Sequence, residues 1–223
     1  MSNEGKSGKQ VSLEIQIMNL NQKIRTHEDT IRALQEELRA AREHAIHDHL
    51  TGLKTREAFE DATTHELEKL VRGERHAQES GTTTSDEQHF SLLYLDLKEF
   101  KSVNDTYGHE AGDTVLKYFS TFLKQYFNRG SDIVARLGGD EFVILLSGVT
   151  PKAKAEHIKQ KFLSALEGFE VPVTNNNGQE HIIPVHCSVG VSSTSDGHRT
   201  AKDLKMSADQ DMYAHKETQR AAR

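Results

Sequence analysis

One cysteine, Cys187, is all that the 223 residues contain, so no disulfide can form within the chain, and no Cys/His cluster has structural-zinc spacing. Long apolar runs are also missing. The longest, Phe142 to Leu146, is far too short to cross a bilayer, and the opening MSNEGKSGKQ lacks the apolar stretch of a secretory leader. Positive charge is in deficit, with 28 basic against 34 acidic residues and a net charge of -6. That balance argues against a generally cationic nucleic-acid binder or a polybasic membrane anchor. A cytoplasmic protein in a reducing compartment, with neither nucleic acid nor membrane as partner, is expected. Hydrophobic residues make up 35% and charged residues 28%, a composition that predicts a partly elongated, solvated chain.

What is present begins with a heptad. After a polar tail expected to be disordered over residues 1–12, Ile17, Ile24, Ile31, Leu38 and Ala45 fall at one core position, and Leu13, Leu20, His27, Leu34 and Ala41 at the other. Only this narrow seam is worth burying, and Ile at a with Leu at d favours a parallel two-stranded coil over residues 13–46. Such a homodimeric rod would be roughly 50 Å long.

Residues 48–223 have the size of one domain. Thr55 to Val71 reads as a helix, and the polar stretch 72–89 as a flexible surface loop. FSLLYLD, Phe90 to Asp96, suits a buried central strand that ends at a carboxylate. A helix follows from Glu110, then IVARL and FVILL form two strands joined at a Gly-Gly turn. Thr150 and Pro151 read as the cap of another helix, Val185 to Val191 as a strand, and Thr200 with Asp203 as the start of a last helix to about Lys216. The order strand, helix, strand, strand, helix, strand predicts an α+β, ferredoxin-like (split βαβ) antiparallel sheet with helices on one face.

Two carboxylate sites stand out: Asp96 ends an apolar strand, and Asp140 with Glu141 occupies a hairpin tip between apolar flanks. If those strands are neighbours, hard oxygen ligands suited to Mg²⁺ converge at one edge. Taken singly, each has a plain structural explanation as a turn or strand end. His47, Asp48 and His49 read as hinge packing rather than a metal site, and His181, His186 and Cys187 as packing along one strand.

Arg136-Leu-Gly-Gly-Asp-Glu-Phe142, the segment from Leu95 to Asp113, and Asp48-His-Leu-Thr-Gly-Leu53 resemble the signature stretches of the GGDEF-family diguanylate cyclases. Ser188-Val-Gly190, Ala208-Asp209 and Tyr213-Ala-His-Lys216 follow in the family's order. The resemblance implies a palm- or cyclase-like fold and condensation of two GTP into cyclic di-GMP with release of two pyrophosphates, across a dimer. It implies Asp96, Asp140 and the Leu97 carbonyl as ligands of two Mg²⁺ per site, with Mn²⁺ as an alternative. Asp140 or Glu141 would assist deprotonation of the attacking hydroxyl, with Asp140 favoured. The turn from Leu97 through Phe100 to Lys101 would hold the β- and γ-phosphates, Lys101 acting as a point charge. Lys216 and Arg220 would reach the triphosphate, Asn104 and Asp113 would read guanine, and His109 would lie near the same pocket. Arg129-Gly-Ser-Asp132 matches the family's RxxD product-inhibition site, with five residues between Asp132 and Gly138. Lys98 and Glu99 depart from the family's usual residues beside the phosphate turn, and Thr218-Gln219-Arg220 departs after the last helix. Two rival readings stay open: a cyclic di-GMP receptor working through Arg129 and Asp132, and a cyclase for adenine-containing dinucleotides, against which Asp113 speaks.

Overall fold

The computed structural model describes residues 8–82 and 89–221; side chains are described for residues 13–38, 45–82 and 89–217. The chain divides into two units, residues 1–44 and 45–223. The described residues of the first belong to one helix, α1 (Gly8–Ile46), which ends two residues beyond that unit. It starts earlier than the tail expected over 1–12 allows, because nothing from Gly8 to Leu13 breaks a helix; residues 1–7 lie outside the described part. Leu13, Ile17, Leu20, Ile24, Ile31, Leu34 and Leu38 are all exposed along it, with 46–59% of their surface open.

The second unit begins with the turn Asp48–Leu53, where the Asp48 carboxylate accepts from the Thr51 N–H at 2.9 Å and its hydroxyl at 2.6 Å. Thr55 caps α2 (Arg56–Ser80), its hydroxyl accepting from the Ala58 N–H. The sequence predicts a loop from Arg72, but α2 continues to Ser80. The helix runs through Gly73, which costs only about 1 kcal/mol relative to alanine, because Ala77 is buried and Glu74 pairs with Arg199 at 2.8 Å. Residues 83–88 of that expected loop are not described.

The remaining elements are β1 (Phe90–Leu97), α3 (Phe100–Tyr107), α4 (His109–Tyr126), β2 (Ile133–Gly138), β3 (Glu141–Ser147), α5 (Lys152–Leu166), β4 (Glu170–Thr174), β5 (Glu180–Pro184), β6 (Cys187–Ser193) and α6 (Ala201–Ala221). The main sheet has order β2-β3-β1-β6 and every pair is antiparallel. That is the ferredoxin-like arrangement. The expectation of helices on one face is corrected. Leu93, Leu95, Phe142, Ile144, Val189 and Val191 pack with α4 and α5, whereas Phe90, Leu92, Tyr94, Val143, Leu145 and Leu137 pack with α2 and α6. β1 is therefore buried on both faces, which is why its sequence is apolar at nearly every position rather than at alternate ones. Fully buried Phe59, Phe119, Phe142 and Phe162 anchor the two layers, each worth about 1.5–3 kcal/mol of transfer free energy.

Three further expectations change. Thr150 does not cap α5: Pro151 occupies the cap position with no side-chain bond. A hairpin of β4 and β5 precedes β6, so His181 lies on β5 and Cys187 on β6 instead of along one strand. α3 and α4 meet at Gly108 where the sequence suggests one helix from Glu110.

Gly190 decides where α6 lies. A Cβ there would stand 2.0 Å from the Ala208 carbonyl oxygen and 2.1 Å from the Met212 nitrogen, both backbone atoms that cannot swing aside. α6 thus rests directly on β6. Gly190→Ala is expected to destabilise the fold by about 3 kcal/mol, at the upper end of ordinary overpacking, measured by urea unfolding; an unchanged midpoint would disprove the contact.

Candidate active site

The strand register brings the two carboxylate sites together. Asp96 on β1 lies opposite Glu141 on β3, and the Leu97 N–H donates to the Asp140 carbonyl at 3.2 Å. Asp140 sits in the two-residue turn after Gly139, which adopts the left-handed conformation (φ 52°) that closes the hairpin. Asp96 is also opposite Ser188 on β6, next to the strip where Gly190 admits α6. One turn beyond Met212, Lys216 places its Nζ 2.6 Å from the Asp96 Oδ1.

The hairpin tip is braced from behind. Arg136 donates to the Gly139 carbonyl from Nε and Nη2 at 3.0 and 2.8 Å, and from Nη1 to Asp48 at 3.1 Å. Arg56 donates twice to the Leu137 carbonyl. These contacts tie the Asp48–Leu53 segment to the Gly-Gly-Asp-Glu turn. Asp48 is consequently occupied by Thr51 and Arg136.

Tyr94 was not singled out in the sequence, where it reads as one more apolar strand residue. Its hydroxyl donates to the Glu141 Oε1 at 3.0 Å from the α6 side of the sheet. Burial, and then the Glu141 charge, push its phenol far above the usual range. It stays protonated and holds Glu141 in place. Only the pattern of position, two residues before Asp96 on the same face, could have revealed it.

Asp140 is held above its ordinary value of 3.8 by burial first, then by the charges of Asp96 and Glu141, against the opposing pull of Lys216. Crowded like charges with hard oxygen donors suit a divalent cation, which would relieve the repulsion. Among the described residues no three His, Cys, Asp or Glu side chains form a ready-made metal cage. Two carboxylates and a carbonyl fit an ion that keeps waters and binds substrate phosphates.

Beyond Leu97 the chain turns, with the Lys98 N–H bonded to the His186 carbonyl at 2.9 Å. Glu99 then adopts φ 59°, making it the one residue other than glycine with positive φ among the described residues. Strain of this kind costs about 1–3 kcal/mol and gathers at ligand sites. Phe100 is half-buried against the core and Lys101 exposed, both in the first turn of α3. Asn104 is packed so tightly on α4 that a Cβ on Gly112 would lie 1.9 Å from its Oδ1, and Asp113 follows directly on the exposed side. His109 is exposed at the start of α4. The side chain of Arg220 lies outside the described residues.

Away from this cluster, between α4 and β2, Arg129 donates to both Asp132 oxygens, at 3.0 Å from Nε and 2.5 Å from Nη2. The carboxylate is 2% exposed and the guanidinium 48%.

Fold and site define the class: a ferredoxin-like α+β domain that gathers carboxylates at one end of its central strand and hairpin, beneath a lysine from the last helix. The chain belongs to the GGDEF family, whose model, described as "Diguanylate cyclase, GGDEF domain", matches residues 45–222. The diguanylate cyclase TpbB of Pseudomonas aeruginosa is 32% identical over 190 residues, 85% of this chain and 39% of that protein. A sensory box/GGDEF family protein from Caulobacter crescentus superposes with a TM-score of 0.62 at 31% identity, over 78% of this chain and 99% of its own. The coiled coil and GGDEF domain of DgcB from the same organism, solved with c-di-GMP, gives a TM-score of 0.72 over 89% of this chain and 95% of its own. At 23% identity that last likeness shows the fold alone. The chain spans less than half the length of the first curated relatives it matches.

Proposed function

We propose that this chain is a diguanylate cyclase that condenses two GTP into cyclic di-GMP and two pyrophosphates. The observation that carries this reading is the meeting of Asp96, Asp140 and Glu141 at one edge under Lys216. Each protomer binds one GTP, and two facing protomers each present a 3′-hydroxyl to the other's α-phosphate. Asp96, Asp140 and the Leu97 carbonyl would hold Mg²⁺, two ions per site with Mn²⁺ able to substitute, and the metal would supply activation of the hydroxyl and charge stabilisation of the leaving pyrophosphate. Glu141 is tethered by Tyr94, so Asp140 is the better placed acceptor for the hydroxyl proton. The N–H groups of the first turn of α3 and the Lys101 ammonium receive the β- and γ-phosphates. Lys216 exchanges Asp96 for the triphosphate, joined by Arg220. Asn104 and Asp113 read the guanine edge, the Asp113 carboxylate accepting from the ring N–H and the adjacent exocyclic amine, a pair of donors that adenine does not present in that pattern, with His109 nearby. The α1 helices pair as a parallel coiled coil, which supplies the second protomer. Among the described residues no helix is long and apolar enough to cross a membrane, and a GTP-consuming reaction fits a cytoplasmic setting. Purified protein with GTP and Mg²⁺, its products resolved by chromatography, tests the reading. Cyclic di-GMP from GTP and no dinucleotide from ATP is expected; no product from a protein that binds cyclic di-GMP would make it a receptor.

Arg129 and Asp132 form the product-inhibition site. The buried Asp132 carboxylate holds the Arg129 side chain in place, while the half-exposed guanidinium can still meet a phosphate or guanine bidentately. Arg129→Ala should raise the half-inhibiting concentration of cyclic di-GMP at least about tenfold, the loss of one charge-assisted contact. Product titration into initial-rate assays reads this directly, and equal sensitivity of variant and wild type would remove the site.

A further inference from the structure

We propose that His215 is a positioning residue for Lys216: by accepting a hydrogen bond from the open edge of β6 it fixes the last turn of α6 so that the lysine reaches the carboxylate site. The inference rests on the reading of Lys216 as a triphosphate ligand, and it concerns a contact that the family signature does not mention.

β6 is an edge strand, and its outward N–H groups need partners. α6 provides them. The Val191 N–H donates to the Asp211 Oδ2 at 2.8 Å and the Val189 N–H to the His215 Nδ1 at 3.1 Å. The two acceptors are four residues apart, one helical turn, matching two successive outward N–H groups of a strand. Asp211 is in turn held by Lys159 of α5 at 3.3 Å, a lysine only 8% exposed that also meets Glu156. Helices on opposite faces of the sheet are thus clasped around its edge, and the helix is hung from β6 at two points.

Lys216 is the next residue. With about 100° of helical rotation between neighbours, fixing His215 on the strand edge fixes Lys216 over the end of β1, where its ammonium meets Asp96. Tightening or slackening the first contact rotates the second. The acceptor role demands a neutral ring with its proton on Nε2. Burial, and then the nearby charges of Lys159 and Lys98, lower the imidazole from its ordinary value, against the pull of Asp211. The ring therefore keeps its acceptor at neutral pH.

Three variants test this in the ligand-free protein and in turnover. His215→Leu removes the acceptor, His215→Asn puts an oxygen where Nδ1 stood, and His215→Gln, with its acceptor one bond further out, serves if the leucine variant does not fold. Three readouts apply: amide exchange at Val189, the carboxyl ¹³C resonance of Asp96, and KM for GTP against kcat. In His215→Leu or His215→Gln, Val189 exchange should quicken about tenfold, the Asp96 resonance should move, and KM should rise about tenfold with kcat within about threefold. His215→Asn should return all three toward wild type. An unmoved Asp96 resonance despite fast Val189 exchange would overturn the proposal, as would an asparagine variant that behaves like the leucine one. Wild-type protein that makes no cyclic di-GMP while the Asp96 resonance still responds would remove the cyclase reading and leave the positioning role standing.

Discussion

Asparagine in place of Asp140 should reduce cyclic di-GMP formation by at least about 1,000-fold, the combined loss of a proton acceptor and a metal-binding charge. The same variant should be more stable than the wild type without ligand. The folded protein holds the Asp140 carboxyl above 3.8 by burial, reinforced by Asp96 and Glu141. For a carboxyl raised on folding, the protonated form is the one the fold favours. Its ionisation weakens the fold as pH climbs from the ordinary value through the raised one, and the penalty persists at neutral pH. The melting temperature of Asp140→Asn should therefore exceed that of wild type at pH 7, with the gap closing as pH falls toward 4. Chromatography of the products and thermal unfolding at several pH values measure both. Undiminished product would take Asp140 out of the reaction; a variant less stable at pH 7 would mean that the crowding of like charges is not felt.

The second large effect concerns α1. Seven apolar side chains stand exposed along one heptad seam, more than a solitary helix leaves in water without a partner. Glutamate at both Leu20 and Ile24 places like charges in that seam. The expected result is a monomer by sedimentation and a turnover at submicromolar protein lower by about 100-fold, within the range that tethering contributes. The residual rate should then rise with the square of protein concentration, because two domains must meet by diffusion. Full activity from a demonstrated monomer would mean that the helix plays another part.

The sequence made the sheet order, the heptad and the convergence of Asp96 with Asp140 legible, because each rests on strong periodicity or on paired motifs. What escaped it depended on tertiary contacts. Tyr94 looks like core until the register sets it beside Glu141. The β4–β5 hairpin is faint in the sequence although Asn175 to Gly178 is turn-forming and the Asn175 Oδ1 accepts from the Asn177 and Gln179 N–H groups; each strand is only five residues long, and both contain proline. Helices on the second face were foreshadowed by the uninterrupted apolar run of β1, which a sheet covered on one side does not need. The far end of α2 is not legible in the sequence because a charged, solvated helix and a surface loop share the same polar composition.

The lateral borders of the sheet bear on how the molecules can assemble. At β2 the Lys54 N–H donates to the Val134 carbonyl and the Lys54 carbonyl accepts from the Arg136 N–H, while at β6 the side chains of Asp211 and His215 occupy the strand's outward donors. Neither margin offers a free ladder to a neighbouring chain. Strand-to-strand polymerisation is hindered on both sides, so if two copies pair as proposed, they can be held close together without seeding aggregates through the sheet edges.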